Sequence, residues 1–160
     1  MHTARQFSVF LVNKPGVLAQ VTKSIAKSKA NIQAMTLVDS SEHGVLRFVC
    51  DDPVKTREIL GKSHDYWTET EVLVIHLRNE PGMLAAVADK LAAAHINIAY
   101  AYTSGGAPGG RTTCVFKVAD LAKSMRLLKP YDSADKTRSS KRSTTIRRNP
   151  AKRAAKTTPK

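Results

Sequence analysis

Short stretches in which every second residue is apolar alternate along the chain with stretches in which apolar residues recur three or four positions apart. Near the N-terminus the first pattern places Phe7, Val9 and Leu11 on one side of an extended segment, which predicts a β-strand with one face against helices. The second pattern follows directly and predicts an amphipathic helix. The apolar stripe of that helix consists of Leu18, Val21 and Ile25.

Further strands and helices follow in the same manner. In the first half the predicted elements are strands at 32–38 and 45–50 and a helix that Asp52 caps, Pro53 opens and Leu60 ends. In the second half they are a strand at 73–77, a helix with the stripe Leu84, Val87 and Leu91, strands at 98–102 and 112–118, and a helix at 121–128 capped by Asp120. This β-α-β-β-α-β order, with a possible last strand, predicts an α+β fold of two ferredoxin-like units, each an antiparallel sheet with both helices on one face.

The two halves also resemble each other residue by residue. The segment Asn13-Lys14-Pro15-Gly16-Val17-Leu18 recurs 66 residues later as Asn79-Glu80-Pro81-Gly82-Met83-Leu84. Between 11–32 and 77–98, ten of 22 positions are identical, where chance gives about one. A Pro-Gly turn by itself recurs in many proteins, but it does not explain why Val21 and Val87 keep the same spacing. The chain is therefore a duplication, with modules that we place at 1–69 and 70–130.

The repeated turn stands where a strand ends and a helix begins. We expect its proline in the first turn of the helix, where the missing N–H costs nothing. A helix N-terminus presents unsatisfied N–H groups and the positive end of the dipole, which suit a carboxylate. Gly16 and Gly82 carry no Cβ, so that a small ligand can lie against the backbone, with Val17 or Met83 as apolar lining. The turns therefore predict a site for an amino acid, with branched-chain and other apolar ones as first candidates.

Asn31-Ile32 and Asn97-Ile98 also recur, at the start of the strand that follows each helix. Because they lie near the far end of the helix, neither asparagine can cap its start. The structural interpretation is an Asx-type turn that ends the helix. The functional alternative is that Asn31 or Asn97 of one module faces the glycine turn of another, so we include these four residues among the candidate ligand contacts.

The paired turns, each followed by a helix and an Asn-Ile strand start, resemble ACT domains. Together with Thr68-Glu69-Thr70-Glu71-Val72-Leu73 at the junction, they resemble standalone tandem ACT proteins over residues 5–128. The resemblance implies βαββαβ modules that pair side by side, usually in a continuous eight-stranded sheet, and amino acids bound at module interfaces beside the turn glycine. It carries this role onto Asn13, Pro15, Gly16, Val17 and Leu18, and onto Asn79, Pro81, Gly82, Met83 and Leu84. It departs after Leu128, where 129–135 has almost no β pattern.

No arrangement of catalytic or metal-binding residues stands out. The histidines are scattered, without a metal-binding or protease motif, and His76 stands on a strand, where a structural or ligand-facing role is expected. Cys50 and Cys114 match no disulfide or metal spacing, and at an offset of 66 each meets an aromatic residue, so we expect small buried side chains. We therefore predict a regulatory protein of the cytoplasm, with no enzymatic activity, no cofactor, no metal and no membrane segment.

Positive charge is concentrated at the C-terminal end. Residues 129–160 carry 11 Lys or Arg against two Asp, a net of +9 out of +13 for the whole chain. We expect 131–160 to be disordered, because it offers almost no apolar side chain to bury. Its composition predicts an alternative function as an accessory protein that binds nucleic acid or an acidic partner. For the modules, the expected partners are an amino-acid ligand and a second copy of the chain, or an enzyme or regulator of amino-acid metabolism.

Overall fold

The structure is a computed structural model, which describes residues 1–38, 43–64 and 66–133. Within these ranges the chain forms six strands, four α-helices and one 3-10 turn. The strands are β1 (His2–Val12), β2 (Ile32–Val38), β3 (His43–Cys50), β4 (Trp67–Arg78), β5 (Ile98–Ser104) and β6 (Arg111–Val118). The helices are α1 (Val17–Lys27), α2 (Pro53–Ser63), α3 (Met83–Ala93) and α4 (Leu121–Leu128), and the 3-10 turn spans Lys129–Tyr131.

The six strands form one antiparallel sheet in the order β2-β3-β1-β4-β6-β5. Phe7 and Leu73, each in the first strand of its repeat, point to the same face, because Thr3 lies on the same side of β1 as Phe7 and is paired with Leu73. On that face α1 and α2 cover one apolar core, and α3 and α4 cover another. The predicted α+β fold of two ferredoxin-like units with helices on one face is confirmed.

The two central strands are each shared between the repeats. Within the β1–β4 pair, Phe7 lies opposite Glu69 and Thr3 lies opposite Leu73. At the offset of 66, Leu73 is the counterpart of Phe7 and Glu69 is the counterpart of Thr3. Each repeat therefore makes the same pairing with the other. The first part of β4 therefore serves as the fourth strand of the first repeat. The first part of β1 occupies the same place in the second. The boundary that we placed between residues 69 and 70 falls inside β4.

The described residues form a sheet of six strands, where the family resemblance implies a continuous sheet of eight. In the described chain after α4, up to Ser133, no strand forms. The position beside β4 that a last strand would occupy is taken by His2–Arg5. Pro130, which lacks the N–H that a strand ladder needs, lies in a 3-10 turn. Residues 131–133, which we had assigned to the tail, pack against the second repeat; the rest of the predicted tail lies outside the described residues.

The alignment of the repeats shifts by two residues after β5. Phe48 is paired with Phe7, and Phe116 is paired with Leu73, so Phe48 and Phe116 are equivalent at an offset of 68. The cause is a connection of six residues between β5 and β6, against four between β2 and β3. Our alignment of each cysteine with an aromatic residue at an offset of 66 was therefore wrong. Both thiols are nevertheless buried, and this burial raises the pKa of Cys50 and of Cys114 to about 11.

The face away from the helices is also partly buried. Ala34, Val49, Val72, Val74 and Val115 form a third apolar cluster there. The two edge strands approach each other on this side, and the backbone N–H of Met35 on β2 donates a hydrogen bond to Oγ of Ser104 on β5 at 3.0 Å. The sheet thus curls round the third cluster and brings the two repeats into direct contact. None of the described helices has the length and apolarity required to cross a bilayer.

Candidate functional site

Each repeated motif forms a tight turn just before a helix. The N–H of Val17 donates to the carbonyl of Lys14 at 3.4 Å, and Gly16 has φ +88° and ψ −16°. The second turn matches it, with Met83 bonded to Glu80 at 3.3 Å and Gly82 at φ +84° and ψ −13°. These are the features of a type II β-turn, which favours proline at its second position and requires positive φ at its third. Proline therefore precedes the helix, and our prediction that it lies inside the first helical turn was wrong.

The helices behind these turns begin differently from the other two. Helices α2 and α4 are capped by Asp52 and Asp120, whose Oδ1 atoms accept hydrogen bonds from the N–H groups of Lys55 at 3.1 Å and Lys123 at 2.8 Å, as predicted. The N-cap positions of α1 and α3 are Gly16 and Gly82, where no side chain caps the helix. Both turns thus leave first-turn N–H groups without a side-chain acceptor, at the end of the helix that attracts anions.

The glycines also leave room above the backbone. A Cβ built on Gly16 or Gly82 would have no described atom within 4 Å other than its chain neighbours. The requirement for positive φ alone explains why each position is glycine. The open space is a separate property, and it allows a small molecule to approach the backbone at both turns.

A cleft of about 270 Å³ opens beside the first turn. Its lining is mostly apolar, with two polar residues from the turn itself. The lining residues are Leu11, Val12, Asn13, Lys14, Val17, Leu18, Leu37, Val38 and Gly44. Leu37 and Val38, at the end of β2, are about half exposed (48 % and 45 %). The cleft therefore places an apolar wall beside Val17 and Leu18, the first two residues of a helix that no N-cap side chain caps.

The second turn is held against the loop between β5 and β6. Nδ2 of Asn79 donates to the carbonyls of Gly106 at 2.9 Å and Ala107 at 3.2 Å. The backbone of Asn79 is bonded twice more to this loop, through Gly109 N–H at 3.1 Å and Gly110 carbonyl at 2.9 Å. A separate cleft of about 220 Å³ flanks this turn, and its lining is Arg78, Glu80, Met83, Pro130, Tyr131, Asp132 and Ser133.

Ten of the predicted site residues lie at the two turns, and the other four lie apart from them. The structure brings Asn13, Pro15, Gly16, Val17 and Leu18 together at the first turn, and Asn79, Pro81, Gly82, Met83 and Leu84 together at the second.

Asn31 and Ile32 lie apart from the first turn, beyond the far end of α1, about 16 Å away by the length of an 11-residue helix. Asn31 exchanges hydrogen bonds with Asp51, and Ile32 packs against the first core. Asn97 and Ile98 occupy the matching positions in the second repeat.

The helices end before these asparagines are reached. Lys29 and His95, at equivalent positions, adopt left-handed backbone angles with φ of 61° and 56°. The N–H of Ile96 bonds back to the carbonyl of Leu91 at 3.0 Å, as in a Schellman ending. A left-handed residue thus terminates each helix two residues before the asparagine, in place of the Asx-type turn that we had expected.

His76 has a structural environment. The backbone N–H of His76 donates a hydrogen bond to Oδ1 of Asp132 at 3.3 Å, and its backbone carbonyl accepts one from Oγ of Ser133 at 2.7 Å. The N-terminal ammonium of Met1 also contacts the Asp132 carboxylate. These contacts anchor the end of the described chain beside the start of β1. Within the described ranges no group of three or more His, Cys, Asp or Glu residues could hold a metal ion.

The largest fully buried polar side chain among the described residues, that of Gln6, was not predicted. Gln6 is fully buried, with Nε2 donating to the hydroxyl of Tyr100 at 2.8 Å and Oε1 accepting from that of Tyr102 at 3.1 Å. Burial raises the pKa of Tyr102, so its hydroxyl stays a donor. The guanidinium of Arg47 stacks over the Tyr100 ring at 4.5 Å. The only signal in the sequence was the polar character of Gln6 and Ser8, which the strand pattern assigns to a solvent face.

The described chain is thus a pair of ferredoxin-like units in one sheet, each with a glycine turn before its first helix. The sequence matches the family model for the ACT domain pair over residues 2–136, and the chain belongs to that family. No curated protein matches it.

Solved structures share the fold. Protein BT0572 from Bacteroides thetaiotaomicron is 32% identical, with a TM-score of 0.72 and coverage of 80% of this chain and 88% of that one. The ligand-free regulatory subunit of aspartate kinase from Thermus thermophilus is 13% identical, with a TM-score of 0.61 and coverage of 82% and 93%. The corresponding subunit from Thermus flavus is 16% identical, with a TM-score of 0.57 and coverage of 81% and 92%. At these identities the two Thermus proteins show the fold alone.

Proposed function

We propose that this ACT domain pair is a non-catalytic regulator that binds a small amino acid at its Asn-x-Pro-Gly turns. The observation that carries the proposal is a helix that begins at a glycine N-cap without a side-chain cap, and whose first residues, Val17 and Leu18, line a partly apolar cleft. The amino acid's carboxylate would accept hydrogen bonds from the free N–H groups of the first helical turn. Its side chain would lie along the apolar wall.

The contrast between the helices supports this proposal. The same chain places an aspartate at the N-cap of α2 and of α4, where a side-chain carboxylate meets the helix N-terminus. At α1 and α3 the N-cap is a glycine, and the described residues supply no side-chain cap there. An amino-acid carboxylate would supply the same chemical group. A glycine at the N-cap costs roughly a few tenths of a kcal/mol of helix stability relative to a capping side chain, so both helices tolerate the missing cap.

Thermal unfolding of the full chain with each common amino acid tests the proposal. A ligand at a hundred times its Kd stabilises the folded state by about 2.7 kcal/mol, which is a shift of several degrees. Gly16→Asp and Gly82→Asp place a carboxylate of the chain at each turn, and at least one of them should abolish the shift. Gly61→Asp is the matched control, because Gly61 is an exposed glycine of α2 with open space around it.

The ligand's own chemistry provides a second control. The methyl ester of an active amino acid lacks the carboxylate charge and should produce no shift at the same concentration. A complete panel without any shift or heat of binding would reject the proposal. A shift that persists in both glycine variants would place the ligand elsewhere.

The regulated partner follows from the same proposal. A regulator of this kind acts by binding, so we expect it to pair with a second copy or with an enzyme or regulator of amino-acid metabolism. The two free cysteines suit a reducing compartment such as the cytoplasm.

A second candidate function rests on the charge distribution. Residues 134–160 have a net charge of +9, which leaves +4 for residues 1–133. Ten Lys or Arg in 27 residues would bind a nucleic-acid backbone without reading its sequence. Gel shifts comparing the full chain with a chain ending at Ser133 test this, and DNA binding by the full chain should weaken steeply with salt. Equal binding by both chains would exclude the tail.

A further inference from the structure

The two turns share a backbone conformation but differ in what surrounds them. At the first turn, the adjacent end of β2 presents Leu37 and Val38 to the cleft. The equivalent positions at the end of β5 are Thr103 and Ser104. Val12, which lines the first cleft, is replaced by Arg78. The apolar wall thus exists in the first repeat only.

The connection after the second strand is also longer in the second repeat, with six residues against four. The six residues between β5 and β6 fold back so that Gly106, Ala107, Gly109 and Gly110 all bond to Asn79. These four hydrogen bonds, two from the side chain of Asn79 and two from its backbone, hold the second turn against the loop. The side chain of Ser104, the counterpart of Val38, is also hydrogen-bonded, because its Oγ accepts a hydrogen bond from the backbone N–H of Met35.

We propose that each chain binds one amino acid, at the first turn, and that this ligand carries an aliphatic side chain. The proposal rests on the function proposed above and narrows it to one repeat and one class of side chain. The second turn keeps the same backbone for a structural purpose, as the anchor of the loop between β5 and β6.

The size and lining of the first cleft fit this ligand. A volume of about 270 Å³ lies below the usual range for drug-sized ligands and suits a molecule as small as one amino acid. Among the lining residues, Leu11, Leu18, Leu37 and Val38 offer aliphatic surface, and Lys14 is the only one with a charge. Burying a side chain of the size of leucine against such a wall should improve affinity roughly 10- to 100-fold over glycine.

Titration calorimetry on the full chain tests the proposal, with leucine, isoleucine and valine as probes against glycine, aspartate and lysine. We expect one ligand per chain and the tightest binding for an aliphatic probe. Leu37→Thr/Val38→Ser, which gives the first cleft the residues of the second repeat, should weaken binding at least 10-fold. Both positions are half exposed, so the fold should tolerate the change. Leu84→Thr is the control at the second turn, where an exposed leucine should be dispensable.

The glycine variants complete the test. Gly16→Asp should abolish binding, whereas Gly82→Asp should leave both affinity and stoichiometry unchanged. Two ligands per chain, loss of binding in Gly82→Asp alone, or a preference for a charged amino acid would each overturn this inference while leaving amino-acid binding intact. The absence of heat with every amino acid would instead reject the function on which the inference rests.

Discussion

The side-chain amide of Gln6, on β1, donates a hydrogen bond of 2.8 Å to the hydroxyl of Tyr100, on β5, and so links the first repeat to the second. The hydroxyl of Tyr102 returns a second bond to Oε1 of the same glutamine at 3.1 Å. A buried polar group is stabilising when its partners are present and costly when they are removed. The hydrogen bonds of Gln6 to Tyr100 and Tyr102 therefore fix how the two repeats meet on the face of the sheet away from the helices.

Gln6→Leu should destabilise the protein by about 1 to 3 kcal/mol, because it leaves two tyrosine hydroxyls without their partner in a partly buried site. The free energy of unfolding in urea measures the loss. Gln33→Leu is the control, since Gln33 is exposed on β2 and its replacement should change stability by less than about 0.5 kcal/mol. Equal effects of the two variants would show that the Gln6 contacts contribute nothing specific.

Lys29→Gly and His95→Gly should each stabilise the protein by up to about 1 kcal/mol. Both residues have positive φ, a conformation that costs a residue with a Cβ about 1–2 kcal/mol and costs glycine almost nothing. An increase in Tm of a few degrees is expected for each. Lys27→Gly, inside the last turn of α1, should have the opposite sign because glycine weakens a helix interior. Destabilisation by all three changes would contradict the assigned backbone angles.

The two thiols should be inert in the folded protein. Burial raises the pKa of Cys50 and of Cys114 from 9.0 to about 11, so almost no thiolate forms near neutral pH. At roughly pH 8 a disulfide reagent should modify them only as fast as the chain opens, and both should react at once in denaturant. Rapid modification of either cysteine in the folded state would contradict the assigned burial.

The same shifts predict how stability depends on pH. Because the folded pKa of each thiol lies above the unfolded value, folding favours the neutral thiol. Their contribution is complete below pH 9.0 and is lost as the pH rises through about 11. Cys50→Ala/Cys114→Ala should therefore show a shallower decline of unfolding free energy over this interval than the unmodified protein.

Much of the fold could be predicted from local patterns. The apolar stripes located α1 and α3, and Asp52 and Asp120 marked the starts of α2 and α4, because capping depends on residues within one turn. The duplication was visible because the turn and the helix behind it tolerate few changes. These are short-range properties, and a single sequence is enough to show them.

The arrangement of the strands could not be predicted in this way. The alternating pattern of β1 is the same whether its first residues pair with the second repeat or with solvent, so the sequence does not show that His2–Arg5 replaces a missing strand. The burial of Gln6 could not be predicted either, because the curl of the sheet that buries it depends on the contact between β2 and β5. At the candidate site, the hydrogen bonds of Asn79 could not be predicted from the turn motif, because they depend on a loop 27 residues away.

Asn79→Ala should release the loop between β5 and β6 without unfolding the second repeat. The change removes the side-chain bonds to Gly106 and Ala107, and each bond contributes about 0.5–1.5 kcal/mol. Hydrogen exchange of the amides of Gly109 and Gly110 should accelerate, because Gly109 donates to the carbonyl of Asn79 and Gly110 donates to that of Ala107. Asn97→Ala is the control, since the side chain of Asn97 makes no hydrogen bond to the described residues, and exchange in the loop should stay as it was. Unchanged protection of Gly109 and Gly110 in Asn79→Ala would show that main-chain bonds alone hold the loop, and the second turn would then lose its assigned role as an anchor.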